Sequence, residues 1–375
     1  MSSDSTNMIL VGIGGGGCRL AAAAKQAFGN GMTAIGFDTD EVAIRCVEGL
    51  RCHLIGATRL NKQGSGGIHS NGRLAAQDDL SNILEQLRDA RIVVIATCLG
   101  GGTGGGATPV ILKALHDAGK ITLCFATRPF AFEDPARQQN AERDRPFLVQ
   151  TVDTLVDVPL DELYTNLGAL PLVEAVKQAD LVMAGGLCLL WRLLLTPGFI
   201  HFDAVKLQNL LIGAGSARFG HVSASGESRA GAAVAALTRA PLLRNGEALG
   251  HARALALGIL AGSDIRLAEI GDLMKDIRAA CRKDVHIEMG VVADPVFDGR
   301  IELVALAFES WVPADRRSGR SSGDGQHLGD LLGKRGQDAK LGAGANKFNG
   351  VEKTVHNGED LDIPTYQRRF IRLER

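Results

Sequence analysis

Apolar residues arrive along this chain in short unbroken runs, each followed by a glycine-rich or polar turn and then a stretch with helical spacing. "MILVGI" (8–13) reads as a strand, "CRLAAAAKQAF" (18–28) as a helix and "TAIGF" (33–37) as a strand. "DDLSNILEQLRDA" (78–90) then reads as a helix and "RIVVIATC" (91–98) as a strand. "TPVILKALHDA" (108–118), "ITLCFAT" (121–127), "PARQQNAERDRPFLVQ" (135–150) and "VDTLVDV" (152–158) continue the alternation of helix and strand. Strands that are apolar throughout bury both faces, so this order predicts an α/β fold with a parallel sheet covered on each side. Ligands of such sheets bind beyond the carboxyl ends of the strands, where the glycine-rich turns of this chain fall.

A long central helix is predicted over 172–195, apolar almost all round in its second half. After "TPGF" (196–199) a second, smaller α/β pattern follows: a helix near 226–239, "RALALGIL" (253–260), "RLAEIGDLMKDIRAA" (266–280), "VHIEMGVV" (285–292) and "RIELVALAF" (300–308). From about 313 the composition turns to Gly, Ser, Lys, Arg, Asp and Asn, too polar to bury a core. Apolar residues return at Leu361, Ile363, Tyr366, Phe370 and Ile371. The predicted organisation is a parallel-sheet domain (1–171), the central helix with the start of the next loop (172–199) and a smaller α/β C-terminal domain (200–312). A disordered linker (313–357) and a partner-binding peptide (358–375) complete the tail.

Composition narrows the setting. A 375-residue chain with 45% hydrophobic residues and a net charge of -1 has ordinary cores and no bulk attraction for nucleic acid or lipid. The start "MSSDSTNMILVGIGG" has no basic stretch leading into an apolar secretory core, so a cytoplasmic protein is expected. "LVMAGGLCLLWRLLL" (181–195) is shorter than the ~20 residues needed to span a bilayer and contains Arg192, so no direct membrane insertion is expected. Seven cysteines without a CxxC pair and nine histidines without HExxH spacing predict neither a zinc site nor a disulfide framework, and no protein-held metal.

Two glycine-rich stretches carry the candidate chemistry. "VGIGGGGC" holds G-x-G-x-x-G at Gly12, Gly14 and Gly17 between a strand and a helix, with Asp38 ending the next strand. Alone, that spacing fits a dinucleotide fingerprint with Asp38 on the ribose, and an NAD-dependent oxidoreductase. The second stretch, "LGGGTGGGATP" (99–109), is not explained that way. A nucleoside triphosphate with its metal can use two loops closing from both sides, backbone N–H groups wrapping the phosphates and Thr103 adding a hydroxyl. Neither loop ends in Lys-[Ser/Thr], which excludes an ordinary P-loop.

"GGGTGGG" is similar to the tubulin signature GGGTG[ST]G, and the order of motifs from about residue 8 to 310 resembles the tubulin/FtsZ family of filament-forming division GTPases. The resemblance implies GTP or GDP with Mg²⁺. It places Gly14, Gly15, Gly16 and Gly17, together with Gly101, Gly102, Thr103, Gly104 and Gly105, at the phosphates. It places Asp38 and Asp40 of "FDTD" near the nucleotide, and Glu133 and Arg137 of "RPFAFEDPAR" at the ribose and purine. "GSGGIHSNGR" (64–73) stands in the γ-phosphate-sensing position but lacks the family's Ala-Asn-Pro. Asp180 of "KQAD" falls at the guanine edge, where a carboxylate accepts from N1–H and the 2-amino group, donors that adenine lacks in that arrangement. The alternative for Asp180 is an exposed acid favoured by a helix N-terminus.

In the family, hydrolysis is completed by a loop of the neighbouring subunit. The matching stretch here is "TPGFIHFDAVKLQ", which puts His201, Asp203 and Lys206 in catalytic places. One acid is kept and the other is replaced by lysine. Loss of a water-orienting acid slows chemistry, whereas a lysine near the γ-phosphate stabilises developing charge. Lys206 facing solvent while Asp203 works alone is a third reading. Cys18 and Arg19 replace the Gly-Asn that closes the first loop beside the base, and Val176 stands where the family often stacks an aromatic. "DLDIPTYQRR" (Asp360–Arg369) resembles the family's peptide for membrane tethers and division regulators, with Ile363, Pro364 and Arg368 in comparable places. The implied protein polymerises head to tail with itself, or with a second member of its family, at the cell-division site. A non-hydrolysing GTP-binding scaffold is the alternative, and the oxidoreductase a remote one.

Overall fold

The computed structural model describes residues 7–29, 31–195, 198–200, 202 and 204–312, and the short pairs 355–356 and 359–360. The first half runs β1 (Met8–Ile13), α1 (Gly14–Phe28), β2 (Ala34–Asp38), α2 (Glu41–Arg45), β3 (Arg51–Leu54), α3 (Ala57–Leu60), α4 (His69–Asp78), α5 (Leu80–Gln86) and β4 (Ile92–Cys98). It continues through α6 (Gly102–Asp117), β5 (Ile121–Arg128), α7 (Pro135–Thr151), β6 (Thr154–Pro159), α8 (Leu160–Leu167) and the long α9 (Leu172–Leu195). The second half holds α10 (Ala204–Leu211), β7 (Gly215–Ser225), α11 (Arg229–Leu237), α12 (Glu247–His251), β8 (Ala254–Ala261), α13 (Leu267–Ala280), β9 (His286–Ala293) and β10 (Arg300–Phe308).

These strands form one ten-stranded sheet in the order β3-β2-β1-β4-β5-β6-β7-β10-β8-β9. Every pairing is parallel except those of β10 with β7 and β8. The α/β expectation therefore holds, and the two halves share a sheet as well as the central helix. The seam between them is short: only Thr154–Val156 of β6 pair with Gly215–Ala217 of β7.

Burial explains why the strands are apolar throughout. In β4, Ile92, Val94 and Ala96 enter a core on one face of the sheet, while Val93 and Ile95 enter a second core on the other. The same division recurs in β10, where Val304, Leu306 and Phe308 join the first core and Leu303, Ala305 and Ala307 a third beneath α11 and α13. The first core thus runs beneath both halves. α9 fills it with Met183, Leu187, Leu193 and the fully buried Trp191, which accounts for the apolar character of its second half. No helix among the described residues is long and apolar enough to cross a membrane.

Several elements differ from the sequence reading for identifiable reasons. α1 begins at Gly14 rather than 18, and α6 at Gly102 rather than 108, because the glycine stretches form the first helical turns instead of loops. The predicted helix 78–90 is the shorter α5 (Leu80–Gln86), and the stretch before it, read largely as a loop, forms α4 (His69–Asp78). β3 was not predicted because it is a four-residue, partly exposed edge strand, and β7 because polar residues interrupt its half-exposed distal end. Most of the expected linker and C-terminal peptide lie outside the described residues. Within them, β11 (Val355–His356) pairs antiparallel with β12 (Glu359–Asp360), which includes Asp360.

A buried ion network ties α11 to α13. Arg229, 4% exposed, donates to Glu269 at 2.9 Å and to Asp264 at 2.6 Å. The guanidinium holds the Glu269 carboxyl down at about 2. A carboxylate whose pKa is depressed by folding stabilises the fold above its ordinary range and ceases to do so as pH falls toward the folded value. Glu269→Gln should therefore cost about 2 kcal/mol at pH 7 by urea unfolding. The gap to the parent should close as pH is lowered from about 4.5 toward 2; a gap independent of pH would rule out the ion pair as its source.

Candidate functional site

The C-terminal ends of β1, β2, β4 and β5 open into a cleft of about 900 Å³. α1 and α6 start at its floor, and neither carries an acid in its first turn. Two helix N-termini with bare N–H groups converging on one cavity form an anion site. Gly14 makes the strand-to-helix turn at φ +74°, a conformation glycine adopts without strain. Elsewhere the glycines serve close packing. A Cβ on Gly17 would lie 2.3 Å from the Ala96 carbonyl, and one on Gly104 would lie 2.4 Å from that of Cys98. Gly17 and Gly105 accordingly sit behind the cleft wall, whereas Gly14, Gly15, Gly16, Gly101, Gly102, Thr103 and Gly104 line it.

Thr103 joins three segments. Its buried hydroxyl meets Thr39 Oγ1 at 2.7 Å and Ser65 Oγ at 3.0 Å, linking α6 to the turn after β2 and to the 63–68 loop. Thr39 and Ser65 are site residues that the sequence reading did not single out. Thr39 lies inside the quoted "FDTD", and Ser65 beside the glycines that mark the loop. Asp38 is 4% exposed and accepts from the Thr39 N–H at 2.7 Å; burial pushes its pKa up. Asp40 caps α2 by accepting from the N–H groups of Val42 and Ala43 at 2.8 and 3.1 Å. Beneath α6, His69 Nε2 lies 3.2 Å from the fully buried Asp144, where burial lowers the histidine pKa and raises that of the acid.

The outer end of the cleft is lined by Phe130, Phe132, Leu172, Val176 and Met183. Phe130 and Phe132 stack with centroids 5.0 Å apart, supplying aromatic surface on the wall opposite Val176's helix. Glu133 accepts from the Phe130 N–H at 2.9 Å and pairs with Arg137 at 3.0 Å. Across the cleft, Arg19 on α1 pairs with Asp180 on α9, Nε to Oδ2 at 2.8 Å. No cluster of three metal-ligating side chains occurs among the described residues.

Lys206 lies elsewhere. It is on α10 and pairs with Glu288 of β9 at 3.2 Å. Gln208, two residues on, accepts from Arg91 just before β4, and the Leu211 carbonyl accepts from Thr154, the first residue of β6. α10 is therefore at the amino ends of the strands and the cleft at their carboxyl ends. The seven-residue β4 separates them by roughly 20 Å. His201 and Asp203 lie outside the described residues. Beside Lys206, Glu288 also meets His286 Nε2 at 3.1 Å, and the His286 ring stacks on Trp311 with centroids 4.9 Å apart.

Residues 7–168 match the family model described as Tubulin/FtsZ family, GTPase domain, and residues 215–309 match FtsZ family, C-terminal domain. The chain is 30% identical to the cell division protein FtsZ of Pseudomonas putida over 385 aligned positions, covering 96% of each chain. It is 30% identical to the FtsZ of Azotobacter vinelandii, covering 96% of this chain and 88% of that one. An FtsZ dimer structure from M. jannaschii superposes with a TM-score of 0.75 at 26% identity, covering 80% of this chain and 88% of that one.

Removing the shared hydroxyl tests the convergence on α6. Thr103→Val leaves Thr39 and Ser65 without their common partner and should cost about 1–3 kcal/mol in urea unfolding. It should also speed amide exchange across 63–68; unchanged exchange there would show that the loop is held by other contacts.

Proposed function

The chain belongs to the tubulin/FtsZ family, with its GTPase domain and its FtsZ-type C-terminal domain, and from that premise we propose that it is a filament-forming cell-division GTPase whose active site is completed between subunits. GTP or GDP occupies the cleft with its phosphates over the N-termini of α1 and α6, at Gly14–Gly16 and Gly101–Gly104, while Gly17 and Gly105 pack behind them. Glu133 and Arg137 meet the ribose and purine, and Asp180 meets the guanine edge. Mg²⁺ keeps most of its water shell and binds through phosphates with few protein ligands. That mode suits the phosphate end of the cleft, which carries hydroxyls at Thr39, Ser65 and Thr103 and the carboxylate of Asp38. Thr39, Ser65, Thr103 and Asp38 would hold the waters of such an ion, which would supply screening of the phosphate charge.

The observation that carries this reading is the placement of α10 and the cleft at opposite ends of the sheet. Lys206 cannot reach a γ-phosphate bound in its own subunit across roughly 20 Å. A second copy stacked head to tail brings its α10 end to the first copy's cleft, and such a heterologous contact repeats into an open filament. In the joined site Asp203 orients the attacking water and accepts its proton. His201 flanks that water. The Lys206 ammonium, tethered by Glu288, faces the charge that develops on the γ-phosphoryl oxygens. The lysine in an acid's place also favours a second reading, a GTP-bound scaffold that assembles without turnover.

On this reading the protein works in the cytoplasm at the division site, with the Asp360–Arg369 peptide binding a membrane tether or regulator, and a second family member as a further polymer partner. The domain boundaries at 171, 199 and 312 belong to the same proposal.

Phosphate release per subunit, measured with GTP and Mg²⁺ across protein concentrations alongside light scattering, tests it. Turnover per subunit should rise above a threshold concentration together with scattering, and Asp203→Ala should lower it about 100-fold or more without abolishing scattering. Turnover independent of concentration would overturn the shared site. Stable filaments without phosphate release would establish the scaffold.

A further inference from the structure

Arg19 stands on the cleft wall at the end where Asp180 sits, and the two side chains meet as a fork. Nε donates to Oδ2 at 2.8 Å, and Nη2 lies 3.5 Å from Oδ1. Asp180 is 15% exposed and Arg19 56% exposed, so the carboxylate is covered while the outer edge of the guanidinium remains open to the cleft and solvent. Both residues line the cavity. The pair bridges α1 and α9, whose own packing fixes the distance between them.

This arrangement changes what the site can read on a base. A lone carboxylate rewards donors only, and in guanine it would take both N1–H and the 2-amino group. Here Oδ2 is already taken by the arginine Nε at 2.8 Å, and Nη2 stands 3.5 Å from Oδ1, whose outer lone pair is left for the base. The ion pair therefore presents an acceptor from Asp180 next to the unused N–H donors of a guanidinium, which carries five in a fixed planar fork. Guanine offers the complementary sequence: the O6 acceptor directly beside the N1–H donor. Arginine is the side chain best matched to guanine O6 and N7. Adenine puts an amino group at the 6-position and an acceptor at N1, which reverses both contacts and sets donor against donor.

We propose that Arg19 is a specificity-determining residue that reads the 6-oxo group of the purine while Asp180 reads N1–H, so that selection rests on the 6-position more than on the 2-amino group. The inference rests on the GTP reading of the cleft. It follows that hypoxanthine, which keeps O6 and N1–H and lacks the 2-amino group, is accepted nearly as well as guanine.

The test is displacement of a ribose-labelled fluorescent GTP from the full-length protein by GTP, ITP and ATP, with Mg²⁺ present. For the parent, ITP should compete within a few-fold of GTP, and ATP about 100-fold or more weakly. Arg19→Ala should weaken GTP and ITP in parallel by about 10- to 100-fold and shrink the GTP-to-ATP ratio by a similar factor. Arg19→Lys, which keeps the charge but loses the planar fork, should recover only part of that ratio. Because the ratio between nucleotides is unaffected by a uniform loss of folding or of phosphate binding, it separates base reading from a structural role. An Arg19→Ala protein that binds GTP as the parent does with an unchanged ratio would overturn the role of Arg19 and leave GTP binding intact. A parent that prefers GTP over ITP by more than about tenfold would place selection at the 2-amino group instead. A parent that binds no guanine nucleotide would overturn the GTP reading itself.

Discussion

The cleft at the carboxyl ends of the strands depends on how closely the first turns of α6 approach their neighbours. The Gly104 Cα lies against the Cys98 carbonyl, and a Cβ on Gly72 of α4 would lie 2.1 Å from the Gly102 carbonyl. Backbone against backbone at that range leaves no space for a side chain at Gly104 or Gly72. The close approach brings the 63–68 loop, the turn after β2 and the α6 N-terminus near enough for one hydroxyl, that of Thr103, to join all three. The anion site is thus a by-product of tight helix-on-helix and helix-on-strand packing, with the N–H groups aimed into the cleft by the same contacts.

The shared core beneath α9 has a comparable role between the two halves. The sheet crosses from β6 to β7 through only three paired residues, and side chains of α9 are buried in a core shared with strands on both sides of that seam. One wall of the cleft, through Val176, Asp180 and Met183, belongs to the same helix. A single helix therefore lines the cleft at one end and packs against the second half's strands at the other.

The parts of the fold legible in the sequence are those where burial is symmetric. β1, β4, β5 and β6 are apolar on both faces, and their runs mark them without ambiguity. β3 and β7 escape because one end or face meets solvent and the hydrophobic signal thins. The site was legible to the extent that glycine marks it, since Gly14 and Gly101–Gly104 could be picked out by composition alone. Thr39 and Ser65 could not, because a hydroxyl that meets another across sixty-four residues of chain leaves no local pattern. Arg19 and Asp180 were each legible as residues beside the base through the family resemblance, but their pairing was not, because it appears only when α1 and α9 lie side by side. Gly17 and Gly105 show the converse, a motif position whose local pattern is clear and whose role in space is packing.

The two tryptophans of the chain occupy opposite kinds of environment. Trp191 is sealed in the core common to both halves, while Trp311 lies against His286 beside the Lys206–Glu288 pair at the far end of the sheet. The protein therefore carries two intrinsic optical probes. The emission of Trp191 follows the integrity of the joined core, and that of Trp311 follows the surroundings of His286 and Glu288 at the other end of the sheet.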